Sequence, residues 1–175
     1  MRTRVGVCAF ILAGALAAGP LKADSISIQN ASFETTNALT GNCGAVNCYN
    51  YGPIPDWTLV GTGGSFRPTA TYYNSVPNGT TVAFSSGGTI SQTLGVSLLP
   101  DTTYTLSVDV GHRLDGYVTG YSISLDAGST LLNSISGSNS TITPGTFQQE
   151  TLLLVEEREI DGRPAQVNSG NDRHS

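Results

Sequence analysis

The segment "TTYTLSVDV", residues 102–110, alternates apolar and polar side chains without a break. One face of the extended chain is apolar and carries Tyr104, Leu106, Val108 and Val110. A period of two is typical of a β-strand with one buried face and one solvated face. The segment therefore predicts a sheet that packs against a second layer.

The alternation returns in "GYSISLDA", residues 120–127, and more weakly in six other segments. Those predicted strands are residues 26–29, 57–60, 81–84, 90–94, 131–135 and 147–155. Gly, Pro and Asp separate them, as in "PNG" at Pro77, and "GTGGSF" at Gly61 is also interpreted as a turn. Roughly eight short strands at this spacing predict an all-β protein, a two-sheet antiparallel β-sandwich.

Residues 1–23 are predicted to be a signal peptide. Arg2 and Arg4 precede an apolar run at residues 5–18 that is shorter than the ~20 residues of a membrane span. Small residues lead to cleavage near Ala23, and a buried N-terminal helix is the alternative. We therefore expect a secreted or periplasmic protein with no membrane span in the mature chain.

The remaining chain is predicted to form one β-sandwich domain over residues 24–155. Residues 156–175 are dense in charged side chains and lose the apolar alternation. This composition predicts a disordered tail, with a partly ordered last strand as the alternative.

Net charge limits the class of partner. Beyond residue 23 the chain has five Arg and no Lys, against 13 Asp and Glu. This balance argues against nucleic acid and anionic membrane surfaces, which attract clustered cations. Neutral, hydroxyl-rich partners such as glycans suit this surface, although composition does not select them.

Two cysteines, Cys43 and Cys48, lie in "CGAVNC" within a long predicted loop at residues 35–56. Export would place them in an oxidising compartment, which favours a structural disulfide. A redox or metal pair is the alternative, but zinc prefers four ligands, or three and a water. Long loops in compact domains are often functional.

The usual catalytic motifs GxSxG, HExxH and the P-loop are missing from the sequence. The segment "HRLD", residues 112–115, ends the clearest predicted strand. His112 beside Asp109 or Asp115 could act as a base. The alternative is a solvated rim with an ion pair between Arg113 and an aspartate.

Aromatic side chains near predicted turns are candidate ligand contacts, because sugars and flat apolar ligands stack on such rings. Tyr72, Tyr73 and Tyr117, together with Arg113, are the predicted ligand-binding residues. Core packing is the expected role of the aromatics at inward strand positions: Trp57, Phe84, Tyr104 and Tyr121.

Six segments in order carry a family resemblance: "NASFE", "IPDWT", "VPNGTTVAF", "ISQTL", "LLPDTTYTLSVDVG" and "GYSISLDAG". The chain resembles galactose-binding-like jelly-roll domains of secreted bacterial proteins, many of which carry a PEP-CTERM tail. It is also similar to the hapalindole-type alkaloid cyclases and, more distantly, to carbohydrate-binding modules. The resemblance covers residues 26–154 and implies a jelly roll.

The resemblance implies that Phe33 packs in the core and that Glu34 binds a structural calcium ion, a metal that takes six to eight oxygen ligands. A surface role is the alternative for Glu34. The C-terminal end is atypical: "QVNSGNDRHS" does not match the family's closing segment V-x-F-D-N-V, whose Asp completes the calcium site and near which the cyclases carry an acidic proton donor, and no PEP-CTERM tail is found.

The first functional hypothesis is a secreted, non-catalytic binding domain for carbohydrate, extracellular matrix or a small apolar ligand. The second is a calcium-dependent, cyclase-like enzyme for acid-initiated cyclisation of an indole isonitrile, with Asp109, Asp115 or Asp126 as the acid. A structural matrix protein or a truncated relative is the third. A deep apolar pocket with a buried carboxylate would favour the enzyme, and a shallow aromatic face the binding domain.

Overall fold

The computed structural model describes residues 25–156, which form ten β-strands and a short 3-10 helix, Asn139–Thr141. The strands are β1 (Gly41–Asn42), β2 (Asn47–Tyr51), β3 (Thr58–Val60), β4 (Gly63–Phe66), β5 (Val82–Ser85), β6 (Thr89–Ser91), β7 (Thr102–His112), β8 (Gly120–Ala127), β9 (Thr130–Ser138) and β10 (Thr146–Glu156). The predicted signal peptide lies outside the described residues, as does the predicted tail beyond Glu156. The domain limits stay a prediction.

All strand pairs are antiparallel. One sheet has four strands in the order β1-β2-β4-β5, and three two-stranded sheets pair β7 with β10, β3 with β6, and β8 with β9. The predicted all-β, antiparallel sandwich class is confirmed.

The longest pairing joins β7 to β10 without a register shift, from His112 opposite Thr146 to Thr102 opposite Glu156. Leu152 and Leu154 are buried on β10. They face Leu106 and Tyr104 of β7, which are half-buried. The inward face that the alternation predicted is therefore the face that packs.

A second centre of packing surrounds the disulfide. Cys43 and Cys48 are bonded, with their Cα atoms 5.8 Å apart, so the predicted disulfide is confirmed. Cys48 is buried with Phe66 and Tyr73. Tyr73 stacks on Phe147 of β10 with ring centroids 4.6 Å apart, which ties this cluster to the long strand pair.

The glycine-rich segment at Gly61 is not only a turn, because residues 63–66 form β4 in the middle of the four-stranded sheet. A Cβ on Gly64 would overlap the carbonyl oxygen of Asn50. Glycine therefore permits the close approach of β4 to β2. The predicted loop at residues 35–56 likewise contains β1 and β2, which corrects that prediction.

The predicted strand at residues 26–29 is wrong, because no ladder forms there. The side chain of Gln92 replaces a strand partner: its Oε1 accepts the Gln29 N–H at 2.9 Å and its Nε2 donates to the Gln29 carbonyl at 2.9 Å. Side chains that bond to the backbone in this way compete with sheet pairing. Phe33 packs against Trp57, with ring centroids 5.1 Å apart, and is half-buried.

Candidate functional site

Arg113, the residue after β7, lies among three aromatic rings. Its guanidinium carbon is 4.6 Å from the centroid of Tyr72, 5.8 Å from Phe66 and 5.9 Å from Tyr117. Contacts within about 6 Å of a ring are attractive for a cation. We call Tyr72, Arg113, Asp115 and Tyr117 the Arg113 face.

Asp115 completes this face. Arg113 Nε donates to Asp115 Oδ1 at 3.0 Å, and Nη2 donates to Oδ2. The two side chains remain 35% and 42% exposed. The pair is electrically neutral, yet donors and acceptors remain within reach of solvent or of a ligand.

The loop that carries Tyr117 is held by a buried asparagine. Asn139 Nδ2 donates to the Tyr117 carbonyl at 3.0 Å, and its Oδ1 accepts the Thr119 N–H at 2.8 Å. At the start of the loop the Leu114 N–H donates to the Tyr72 carbonyl at 2.9 Å. These bonds order the Arg113 face before any ligand arrives.

The structure brings together Tyr72, Arg113 and Tyr117 of the four predicted ligand-binding residues. Tyr73 instead packs in the core, where burial raises the pKa of its hydroxyl. Whether the three grouped residues bind a ligand stays a prediction.

His112 is buried, and its Nδ1 lies 2.8 Å from the Ile142 carbonyl, to which it donates because a carbonyl only accepts. Its Nε2 has no hydrogen-bond partner among the described residues. No hydrogen bond joins His112 to Asp109 or Asp115 within residues 25–156, and the carboxylate of Asp115 binds Arg113. The structure therefore does not assemble the histidine–aspartate pair that the "HRLD" segment suggested.

The three aspartates named as candidate acids lie at exposed positions. Asp109 points outward from β7, and Asp126 on β8 accepts the Ser124 hydroxyl at 2.9 Å. With Asp115 held by Arg113, none of the three lies in the interior. Their catalytic role stays a prediction.

The buried carboxylate of the described chain is Glu150, which is 8% exposed and which sequence reasoning missed. Its Oε1 accepts the Tyr121 hydroxyl at 2.7 Å and the Gln148 amide at 3.0 Å. The hydrogen bond to Glu150, together with burial, raises the pKa of Tyr121. The sequence contained a signal for this burial, because Glu150 alternates with Leu152 and Leu154 and therefore lies on the same face of β10.

Glu34 is an exposed carboxylate that already has three donors. Its Oε1 accepts the N–H groups of Thr80 and Thr81 at 2.8 and 2.7 Å, and its Oε2 accepts the Thr80 hydroxyl at 3.1 Å. Burial tends to raise the pKa of Glu34, but these bonds and the charge of Arg67 lower it below its usual range.

The groups that contact the Glu34 carboxylate are hydrogen-bond donors of Thr80 and Thr81. Calcium requires several oxygen acceptors, whereas the groups at this carboxylate are N–H and O–H donors. The described part of the chain has no cluster of three or more His, Cys, Asp or Glu residues. Calcium binding at Glu34 stays a prediction of the resemblance.

An open cavity of about 360 Å³ lies beside the Glu34 contact. Arg67, Tyr73, Val76 and Thr80 are among its lining residues, and no carboxylate of the described chain lines it. It is therefore not a deep apolar pocket around an acid.

None of the helical structure in residues 25–156 is long and apolar enough to cross a membrane. No match was found among the curated proteins or among the solved structures. A family model described as HpiC1 cyclase matches residues 24–167. The match concerns the cyclase part of the resemblance, whereas the galactose-binding and PEP-CTERM parts stay predictions. Because the matched residues make up most of the sequence, the chain belongs to the HpiC1-like family.

Proposed function

We propose that the chain is a secreted, non-catalytic domain that binds a neutral, hydroxyl-rich ligand such as a glycan on the Arg113 face. One observation carries this proposal: Arg113 stacks on Tyr72 and pairs with Asp115 while both charged side chains stay about one-third exposed or more. Exposed rings stack on the CH face of a sugar, and a neutral Arg–Asp pair offers donors and acceptors to hydroxyl groups.

The surroundings of the face support the same function. Leu114, Tyr117 and Val118 are 41%, 55% and 54% exposed, so apolar surface continues along the loop. The bonds to Asn139 fix this loop, which lowers the entropic cost of binding. A shallow aromatic face, rather than a deep pocket, is the geometry expected for a binding domain.

The test is retention of the full chain on immobilised neutral polysaccharides and on a glycan array. Tyr117→Ala should weaken binding about fivefold, since a stacking contact of one aromatic ring contributes ~0.5–1.5 kcal/mol. Tyr51→Ala is the matched control, because Tyr51 is 65% exposed and outside the Arg113 face. Failure of the parent chain to bind any neutral glycan would rule out this function.

A cyclase-like enzyme is the second candidate, favoured by the family match and by Glu150. Glu150 would donate a proton to an indole isonitrile, starting a cationic cyclisation. Tyr121 and Gln148 both bind Oε1, which leaves Oε2 to carry the transferred proton. In this hypothesis Glu150 takes the role that sequence reasoning gave to Asp109, Asp115 or Asp126.

The enzyme hypothesis is tested by incubating the full chain with an indole isonitrile, with calcium and with chelator, and by detecting cyclised product by mass spectrometry. Glu150→Gln should abolish product, whereas Asp126→Asn should not. Product formation no faster than in buffer would exclude the enzyme.

A further inference from the structure

The open cavity beside Glu34 has a size suited to a small molecule. Its volume of about 360 Å³ falls in the usual range of ligand pockets, ~300–1,000 Å³. Its lining combines polar groups from Arg67, Asn74 and Ser75 with apolar surface from Val76 and Pro68. A ligand with both charged or hydroxyl groups and CH surface would match this lining.

The walls of the cavity are fixed by contacts that a ligand does not supply. On one side the Arg67 N–H donates to the carbonyl of Cys48 at 2.6 Å, and Cys48 is held by the disulfide. On the other side Glu34 holds Thr80 by its N–H and its hydroxyl. A preformed site has a smaller ordering cost on binding.

Arg67 differs from the other guanidinium of the described chain. Arg113 is paired with Asp115, but no hydrogen bond or ion pair to the side chain of Arg67 exists within residues 25–156. The charge of Glu34 is close enough for Arg67 to lower the pKa of that carboxyl. The hydrogen-bond donors to Glu34 are groups of Thr80 and Thr81 and not of Arg67, so the N–H donors of Arg67 stay available.

We propose that this cavity binds a small carboxylate-bearing polyol, such as a hexuronate. The planar guanidinium of Arg67 can bind a carboxylate through two parallel hydrogen bonds. Asn74 and Ser75 offer polar groups to ring hydroxyls, and Val76 contacts the ring carbons. This second site does not depend on the proposed function of the Arg113 face, whose cation is already neutralised.

The test compares D-glucuronate with D-glucose, which shares the ring but lacks the charge, by calorimetric titration of the full chain at low salt. Glucuronate should bind about tenfold more tightly, as expected for one charge-assisted contact. Arg67→Gln should remove this preference and lower the melting temperature only slightly, because the Arg67 side chain has no ion pair in the described chain and loses only its longer-range charge interaction with Glu34. Asp126→Asn, a charge change outside the cavity lining, should keep the preference.

Three results would overturn this proposal: equal affinity for the two sugars, a preference that survives Arg67→Gln, or a preference that Asp126→Asn strengthens by as much as Arg67→Gln weakens it. The last result would assign the effect to net charge rather than to the cavity. Failure of the neutral-glycan experiment leaves these outcomes unchanged, so the two proposals are tested separately.

Discussion

The carboxylate of Glu34 holds Thr80 across 46 positions of the sequence, accepting its N–H at 2.8 Å and its hydroxyl at 3.1 Å. The Thr81 N–H donates to the same carboxylate. The contact also requires a glycine, because a Cβ on Gly79 would overlap the Glu34 side chain. Gly79 has φ +74°, which an L side chain adopts only with strain. One carboxylate thus fixes the N-terminal segment against the turn before β5.

The first prediction concerns the pH dependence of stability. Because the folded pKa of Glu34 is below its ordinary 4.5, the carboxylate contributes stability above that pH. The contribution is lost as the pH falls through the folded pKa. Glu34→Gln should lower the free energy of unfolding by about 1 kcal/mol at pH 7, a modest amount because the group is exposed. It should also reduce the fall of the urea unfolding midpoint with decreasing pH. The same fall of the midpoint in the variant as in the parent chain would show that Glu34 contributes nothing to the pH dependence of stability.

The second prediction concerns calcium. Since donors surround the Glu34 carboxylate, calcium should raise the melting temperature of the parent chain no more than that of Glu34→Gln. The measurement is thermal unfolding in millimolar calcium and in chelator, because an ion that binds the folded state raises the midpoint. A rise confined to the parent chain would instead support calcium binding at Glu34.

The third prediction concerns the disulfide. The bond joins cysteines five positions apart, and closing so short a loop should stabilise the fold by about 2 kcal/mol. Replacing Cys43 and Cys48 together by Ala should lower the free energy of unfolding by at least that amount, since Cys48 is also buried. Urea unfolding measures the difference, and reduction of the parent chain is the matched control.

The fourth prediction concerns the Tyr121–Glu150 hydrogen bond. Because this bond raises the pKa of Tyr121 above 10.0, Tyr121 contributes stability below pH 10 that is lost as the pH rises through the folded pKa. Glu150→Gln should shift the tyrosinate absorbance titration towards lower pH, and Tyr121→Phe should remove that transition. A parent titration that matches the Glu150→Gln variant would contradict the structural assignment.

The strands that sequence reasoning located are those with strict alternation. β7 and β8 agree closely with predicted residues 102–110 and 120–127 because one face of each packs inward. β4 was missed because glycine ordinarily ends a strand, whereas Gly64 here allows two backbones to approach. The residues around Gly64 do not reveal that two backbone segments distant in sequence approach each other there.

The candidate site was predictable only in part. Arg113 and Asp115 are two residues apart, so their pairing was a stated alternative, and the structure confirms it. Tyr72 and Tyr73 are neighbours with opposite environments, and which one faces Arg113 depends on the distant Phe147. The open cavity that Arg67 lines could not be predicted from the sequence, because Glu34 and Cys48, which fix its walls, are far from Arg67 along the chain.

The pairing of β7 with β10 has a consequence for synthesis. β10 supplies the partner for all eleven residues of β7 and follows it by more than thirty positions. The ribosome must therefore release residues 146–156 before β7 can form its ladder, and until then β7 is an open edge for intermolecular pairing. A premature stop codon before Thr146 would leave this aggregation-prone edge permanently exposed, so such alleles should yield insoluble protein rather than a weakened binder.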